Sequence, residues 1–192
     1  MPLFNFEGKQ PQVHPSAFVA ATATLIGDVV VEEDASIWYG AVLRGDFGRI
    51  TVRRGANVQD NSVIHTQPGM PVEIGPGATV AHNCTVHSAV LEEHALVGNG
   101  SVVLDGAVVG AGSLIAAGSV VGPNTKIPPG ILAAGSPAQV KRPLEGQAAA
   151  WVRDNPVGYI ELGRRHRTGI RSIPWKPEPR SEERRVGKEC RL

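Results

Sequence analysis

The feature of this sequence that most constrains its fold is an aliphatic residue that recurs at every sixth position over most of the chain. An amphipathic helix would repeat every 3.6 residues or so, and a half-buried strand every two, so neither produces this spacing. A period of six instead predicts a solenoid of triangular cross-section, in which three hexapeptides complete each coil and the aliphatic side chains point inwards. The repeating positions are Val13, Val19, Leu25, Val31, Ile37, Leu43, Val52, Val58, Ile64, Ile74, Val80, Val86, Leu91, Val97, Val103, Val109, Ile115, Val121 and Ile127.

The residues between these positions fit the corners of such a solenoid. Alanine or serine often follows four positions after the aliphatic residue, and Gly, Asn or Asp commonly lies between them. These types suit tight corners, because Gly and Asn tolerate the left-handed backbone region. The composition, with 23 glycines and 5% aromatic residues, favours short strands over a helix bundle. The sequence therefore predicts an all-β solenoid, a parallel β-helix over residues 13–135 after a lead-in at 1–12, rather than a β-sandwich.

A different pattern follows the repeat. Pro128–Gly130 breaks the period, and residues 136–175 read as a C-terminal helical segment. The strings LEGQAAAWVRD and PVGYIELGRRHR predict two helical pieces, with Asn155 as the N-cap of the second. Their glycines weaken an isolated helix, so we expect packing against the solenoid or a neighbouring subunit. Residues 180–192 (RSEERRVGKECRL) are expected to be a non-native or disordered tail and are excluded from the fold.

Charge and composition indicate few macromolecular partners. The formal net charge is +1, so neither nucleic acid nor a membrane surface is an expected partner. The N-terminus lacks a basic segment followed by an apolar run, and no stretch approaches the roughly 20 apolar residues of a membrane span. With two cysteines, Cys84 and Cys190, a disulfide framework is not expected, and Cys84 is expected to be a packing residue. These features predict a cytoplasmic protein.

Three of the six histidines stand in a fixed relation to the repeat. His65 directly follows Ile64, and His87 directly follows Val86. The 22 residues from 64 to 86 make one 18-residue coil plus a four-residue insertion, so the two histidines should stack on one face of adjacent coils. Backbones in adjacent coils lie about 4.8 Å apart. Two imidazoles placed in this way can bind one metal ion.

The third histidine, His82, lies two positions after Val80 and so belongs to the preceding face. It should not reach the same ion within one chain, but in a homotrimer His82 of one subunit can meet His65 and His87 of the next. Three histidines without a fourth protein ligand are typical of a catalytic metal site with water in the open position. The alternative is a set of ordinary surface histidines. The other histidines are predicted not to be ligands: His14, His94 and His166.

Several motifs resemble the γ-class carbonic anhydrase family: LRGDFGRI, NVQDNSVIH and the H-x4-H spacing of His82 and His87. The RGDFGRI string and the segment around Tyr159 are more similar to the PaaY/CaiE branch of that family. The resemblance covers residues 10–175 and implies a left-handed coil. It also implies a divalent metal, zinc first and iron(II) or cobalt as alternatives. The implied reaction is the hydration of CO2 to bicarbonate by a metal-bound hydroxide at a trimer interface.

The resemblance further implies roles for individual residues. The site residues are His65, His82 and His87 as metal ligands, Gln59 as the residue that orients the hydroxide, Arg44 and Asp46 as a pair that ties subunits together, Asn57 and Asp60 as parts of the same polar network, and Tyr159 as a tyrosine of the C-terminal helix that faces the site. The residues alone leave open a plain polar turn at Gln59 and a surface ion pair at Arg44 and Asp46.

The chain departs from the family pattern at two positions. The archetype has glutamate proton shuttles directly after its R-x-D motif and in a long acidic loop. At these places this chain has Phe47 and a short loop, TQPGMPVE, with Glu73 at its end. These departures predict slower proton export. Three other functions stay open: hydrolysis of acyl-CoA thioesters at the same metal site, metal-free acyl transfer with a histidine base, and a non-catalytic metal-binding scaffold.

Overall fold

The six-residue repeat folds into short strands that stack in parallel from one coil to the next. A computed structural model describes residues 2–175, so the predicted tail at 180–192 lies outside the described residues. This part of the chain forms a solenoid of about seven coils that is followed by one helix, α1 (Gly146–Gly169). The strands are β1 Leu3–Phe4, β2 Gln12–Val13, β3 Phe18–Val19, β4 Thr24–Val31, β5 Ser36–Ile37, β6 Val42–Val52, β7 Asn57–Val58, β8 Val63–His65, β9 Val72–Ile74, β10 Thr79–Val80, β11 Thr85–His87, β12 Val90–Leu91, β13 Leu96–Val97, β14 Val102–Val103, β15 Val108–Val109, β16 Leu114–Ile115, β17 Val120–Val121, β18 Lys126–Ile127, β19 Ile131–Gly135 and β20 Ala138–Pro143.

The strands make three faces. The first face contains β8, β11, β14 and β17, the second contains β9, β12, β15 and β18, and the third runs from β3 through β5, β7, β10, β13 and β16 to β19. The long strands β4 and β6 turn the corner between the first and second faces, and β6 pairs with both β8 and β9. The predicted parallel β-solenoid is confirmed. The left-handed sense of the coil stays a prediction.

The aliphatic ladder forms the core. Every repeating position from Leu25 to Ile127 is at most 4% exposed, which confirms that these side chains point inwards. Val13 and Val19 are half-buried because they lie in the first coil. Cys84 is also buried, in agreement with its expected packing role. The core is therefore one narrow column of aliphatic side chains that runs the length of the solenoid.

The two interruptions of the repeat behave differently. The RGDFGRI string does not leave the sheet, because it continues within β6. A Cβ on Gly45 would lie 2.6 Å from the carbonyl oxygen of Asp28, so only glycine lets β4 and β6 pass this closely at their register shift. The insertion after His65 bulges outwards as predicted, and Gln67 and Met70 close it with an antiparallel bridge.

The strands extend beyond both predicted ends of the solenoid. β1 pairs in parallel with β4, so part of the predicted lead-in at 1–12 belongs to the sheet. At the other end, β19 and β20 form an antiparallel hairpin that continues to Pro143. The hairpin supplies hydrogen-bond partners to the last coil, whose edge would otherwise be open. The helix therefore starts at Gly146, later than the start of the predicted helical range 136–175.

One continuous helix replaces the two predicted helical pieces. Pro156, expected in the first turn of a second helix, is buried inside α1, and Asn155 is not an N-cap. Both Val152 and Pro156 are buried, and Val152 packs with Leu96 of the third face, so tertiary packing stabilises a helix that contains a proline. Trp38 packs edge-on against Tyr159 with ring centroids 5.4 Å apart. The expected packing of the helical segment on the solenoid is confirmed.

Close approach of α1 explains one of its glycines. A Cβ on Gly163 would lie 3.2 Å from the Cβ of Phe18, so the missing side chain lets the helix approach β3. Nearby, the Tyr39 hydroxyl and His166 Nδ1 lie 3.0 Å apart.

Within residues 2–175, no helix combines the length and apolarity that a membrane span requires.

Replacing Ile115 with alanine should lower the free energy of unfolding by about 2–5 kcal/mol, because a stacked core cannot close the resulting cavity. Ile115 is fully buried in the ladder. Lys126→Ala is the control, since Lys126 points outwards from a nearby coil, and it should cost less than about 1 kcal/mol. Chemical denaturation followed by circular dichroism measures both changes, and equal losses would contradict the inward assignment.

Candidate functional site

Three polar side chains stack on the first face, one from each of three coils. Arg44, His65 and His87 are register partners in β6, β8 and β11. His65 Nδ1 and His87 Nε2 lie 3.0 Å apart, and the ring centroids are 5.0 Å apart. The predicted stacking of the two histidines is confirmed, because the insertion between them bulges out and leaves the register intact.

Carboxylates hold both rings of this histidine pair. Asp46 Oδ1 accepts a hydrogen bond from His65 Nε2 at 3.0 Å, and Asp105 Oδ1 accepts one from His87 Nδ1. A neutral imidazole has one nitrogen with an N–H and one nitrogen with a lone pair. Because each ring donates its N–H to a carboxylate, the nitrogens that face each other, His65 Nδ1 and His87 Nε2, both present lone pairs. A shared cation, either a proton or a metal ion, would satisfy both nitrogens.

The same carboxylates set the charge around the pair. Burial would raise the pKa of Asp46, but hydrogen bonds from Arg44 and His65 and the charge of Arg44 hold that pKa below its ordinary value. Burial would also raise the pKa of Asp105, but hydrogen bonds from His87 and Gln67 hold that pKa below its ordinary value. Both carboxylates are therefore ionised at neutral pH. A cation between the histidines would lie in negative surroundings.

A second group of the predicted site residues lies where the chain turns from the third face to the first. Gln59, His82 and Tyr159 line one cavity of about 470 Å³ beneath α1. His82 Nδ1 and Asp60 Oδ2 are 2.9 Å apart. Gln59 is 3% exposed, and its Nε2 donates a hydrogen bond to Asn57 Oδ1 at 2.9 Å. This cavity therefore combines an imidazole, an amide and a phenol.

The predicted residues thus fall into two groups within one chain. His82 lines the cavity, whereas His65 and His87 lie on the first face and do not line it. Across residues 2–175 of a single chain, no three His, Cys, Asp or Glu side chains are arranged to hold a metal ion. This agrees with the expectation that His82 does not join the other two histidines within one chain.

The two departures from the family pattern have defined surroundings. The Phe47 ring lies 5.9 Å from the His65 ring and is 57% exposed. Glu73 accepts a hydrogen bond from Arg53 Nε at 3.0 Å and is held in this ion pair on the second face. Neither position therefore offers a free carboxylate to the histidine pair.

Some residues of the site were not indicated by the sequence patterns. Asp105 holds His87, and the 18-residue spacing between them, equal to one coil, is the signal that could have found it. Thr79 and Asn155, which share a hydrogen bond beside the cavity, are 76 residues apart. No local spacing could indicate that contact, because α1 had first to be placed on the third face.

The chain is similar to known proteins over most of its length. Residues 88–123 match the family described as bacterial transferase hexapeptide (six repeats). A carbonic anhydrase of Geobacillus kaustophilus is 42% identical over 84% of this chain and 88% of that protein. The gamma carbonic anhydrase 2, mitochondrial, of Arabidopsis thaliana is 39% identical over 85% of this chain and 61% of that protein. The carnitine operon protein CaiE of Salmonella dublin is 39% identical over 96% of this chain and 92% of that protein.

A solved structure shares the fold. The hexapeptide transferase family protein from Anaplasma phagocytophilum is 40% identical to this chain, with a TM-score of 0.82. The match covers 85% of this chain and 96% of that chain.

Replacing Asp60 with asparagine should lower the pKa of Tyr159. Burial, and to a smaller extent the charge of Asp60, raise the pKa of this phenol, so removing the charge makes the phenolate easier to form. The chain has two tyrosines, and an ultraviolet titration in a Tyr39→Phe background follows Tyr159 alone. Asp28→Asn is the control and should leave the titration unchanged. An unchanged pKa in Asp60→Asn would contradict the electrostatic contact.

Proposed function

The chain belongs to the γ-class carbonic anhydrase family, and from that membership we propose that it is a metal-dependent enzyme that hydrates CO2 to bicarbonate. The observation that carries the proposal is the stacked pair of His65 and His87, whose facing nitrogens are 3.0 Å apart. Two nitrogens bound to one tetrahedral zinc ion, with bonds of about 2.0–2.1 Å, lie about 3.3 Å apart. The pair therefore has nearly the spacing of two ligands of one ion.

The donor set fits a divalent metal. Imidazole suits zinc, iron(II) and cobalt, and zinc is our first choice because it commonly takes three histidines in catalytic sites. Each of the three histidines has its other ring nitrogen next to a carboxylate, as metal-binding histidines usually do. The pairs are His65–Asp46, His82–Asp60 and His87–Asp105. When bound, the metal would act as a Lewis acid that makes hydroxide available from water near neutral pH.

In this proposal His82 of a neighbouring subunit completes the ligand set in a homotrimer. Support comes from the separation of the two groups within one chain, since His82 lines a cavity that His65 and His87 do not reach. In a threefold ring, each interface joins two different surfaces, here the first face of one subunit and the cavity corner of the next. Three equivalent sites result, and an isolated monomer should be inactive.

The remaining polar side chains orient the reactants. Gln59 Oε1 can accept a hydrogen bond from the attacking hydroxide, because one N–H of the Gln59 amide is held by Asn57 Oδ1 and the carbonyl oxygen is left for the cavity. This contact would direct the hydroxide lone pair at the carbon of CO2. The raised pKa of Tyr159 keeps its phenol protonated at neutral pH, so Tyr159 can donate a hydrogen bond to a bicarbonate oxygen. Arg44 and Asp46 lie beside the pair and fit a contact between subunits.

Proton release has no dedicated carboxylate in this proposal. Phe47 takes the place of the family's first glutamate shuttle, and Glu73 is held by Arg53. The proton of the attacking water therefore leaves to solvent, to buffer or by way of Tyr159. Proton export of this kind makes the rate of CO2 hydration depend on buffer concentration.

A second candidate function, hydrolysis of acyl thioesters at the same site, is favoured by the cavity. A volume of about 470 Å³ is in the range of pockets that hold drug-sized ligands and far larger than CO2 requires. The wall beyond His82 includes Leu96, Leu114 and Trp151. An acyl group packed on this wall would have its carbonyl near the histidine.

Replacing Trp151 with alanine separates the two reactions. Trp151 is half-exposed on the apolar wall of the cavity. We expect CO2 hydration, followed by stopped-flow with a pH indicator, to stay within about twofold of the wild type, because CO2 needs no contact with this wall. Thiol release from a medium-chain acyl-CoA is measured beside it. If the protein instead hydrolyses the thioester rapidly and does not hydrate CO2, and if the KM for the thioester rises about tenfold in Trp151→Ala, the second proposal replaces the first.

Single-histidine variants test the shared site. His65→Ala and His82→Ala should each lose CO2 hydration and most of the bound metal, because each removes one of three ligands. His14→Ala is the control and should keep both, since His14 lies near the N-terminal end of the solenoid. Elemental analysis measures the metal. Retention of one metal ion per subunit in both site variants would contradict the proposed ligand set.

Mixed trimers test the interface. His65→Ala and His82→Ala subunits mixed in equal amounts should regain about a quarter of wild-type activity, because a quarter of the interfaces combine an intact His65 with an intact His82. A mixture of His65→Ala with His87→Ala is the matched control and should stay inactive, because both residues come from the same side of the interface. Activity in the control mixture would contradict the arrangement. So would an inactive test mixture in which native mass spectrometry detects mixed trimers.

A further inference from the structure

We propose that Thr79 and Asn155 are positioning residues that fix the amide of Gln59 through the buried side chain of Asn57. The inference rests on the proposed role of Gln59 in the reaction. It assigns α1 a part in the site that goes beyond covering the cavity, because Asn155 belongs to that helix.

Four polar side chains form one hydrogen-bonded chain from the helix to the cavity. Asn155 Nδ2 and Asn57 Nδ2 each donate a hydrogen bond to Thr79 Oγ1 at 2.9 Å. Gln59 Nε2 in turn donates to Asn57 Oδ1 at 2.9 Å. Asn57 and Thr79 are register partners in β7 and β10, so the solenoid itself sets their separation.

Burial makes these hydrogen bonds difficult to exchange for others. Asn57 is 0% exposed, Thr79 is 2% exposed and Gln59 is 3% exposed. A buried amide that loses its partner is strongly disfavoured, since water cannot replace the missing hydrogen bond. The three side chains therefore have to satisfy one another, with Asn155 as the fourth partner.

The donors and acceptors fix a direction along the chain. A hydroxyl has two lone pairs and one proton, and the two amide donors occupy both lone pairs of Thr79. The amide nitrogen of Asn57 therefore faces Thr79, and the amide oxygen of Asn57 faces Gln59. Gln59 then directs its nitrogen at Asn57 and keeps its oxygen for the cavity.

The direction matters for the reaction because the two ends of an amide are opposite in hydrogen bonding. With the hydrogen bonds in place, Gln59 offers an acceptor to a hydroxide that carries a proton. Without the acceptor at Thr79, Asn57 and Gln59 can turn over together, and Gln59 would present an N–H group instead. Thr79 and Asn155 therefore determine which atom of Gln59 the substrate meets.

The direct test is the rate at which the side-chain amide protons of Gln59 exchange with solvent, measured by NMR on the full chain. The Gln59 signals are assigned by their loss in Gln59→Glu. Thr79→Val, which keeps the shape and removes the hydroxyl, should speed exchange about tenfold, and Asn155→Ala about threefold. Thr79→Ser retains the hydroxyl and should restore the wild-type rate.

Two controls separate positioning from loss of structure. Arg153→Ala changes an exposed side chain of the same helix that pairs with Asp154, and it should leave the Gln59 exchange rate unchanged. Thermal unfolding identifies any variant that fails to fold. Asn155→Ala carries the test if Thr79→Val does not fold, because Asn155 is only partly buried.

Kinetics then connect the network to the reaction. Asn155→Ala should lower kcat for CO2 hydration about threefold in the wild-type background and have no further effect in a Gln59→Ala background. Unchanged amide exchange in both Thr79→Val and Asn155→Ala would overturn the inference, whatever the activity. If the Gln59 amide exchanges faster in these variants but kcat is unchanged, the positioning of Gln59 is supported. In that case Gln59 takes no part in the proposed reaction.

Discussion

Parallel backbone pairing between successive coils is the interaction on which the rest of this structure depends. It holds each residue beside the residue one coil away, and so places His65 next to His87 and Asn57 next to Thr79. The aliphatic ladder fixes this register, since a slip of one residue would turn the buried side chains outwards. A single geometric rule therefore builds both the core and the polar columns on the surface.

The electrostatic design of the first face follows from this stacking. Two imidazoles brought together would gain little by themselves, but Asp46 and Asp105 take the outer N–H of each ring. The inner nitrogens are left with lone pairs a short distance apart, in surroundings made negative by the carboxylates. Such a pair is suited to binding a cation, although within residues 2–175 of one chain no third His, Cys, Asp or Glu side chain joins it to form a metal site.

The helix contributes differently from the solenoid. It has a proline in its interior and several glycines, and an isolated helix of this sequence would be weak. Packing on the third face provides the stability, and Gly163 allows the close approach. Because the helix is fixed in place, Asn155 and Tyr159 reach the cavity that Gln59 and His82 line. Tertiary packing thus turns a segment of poor helix propensity into one wall of the candidate site.

The sequence by itself determined the solenoid, the inward ladder and the stacking of His65 with His87, because a six-residue period converts spacing along the chain into position in space. It did not determine the single helix, the hairpin that ends the solenoid or the contact of Asn155 with Thr79, because these depend on surfaces that exist only after the coils have stacked. The contact of Asp105 with His87 could have been predicted, because the 18-residue spacing between them equals one coil, but the sequence patterns did not single Asp105 out. The register along the chain already separated His82 from His65 and His87. Only the tertiary structure decided that Gln59, His82 and Tyr159 line one cavity, because α1 had first to pack on the third face.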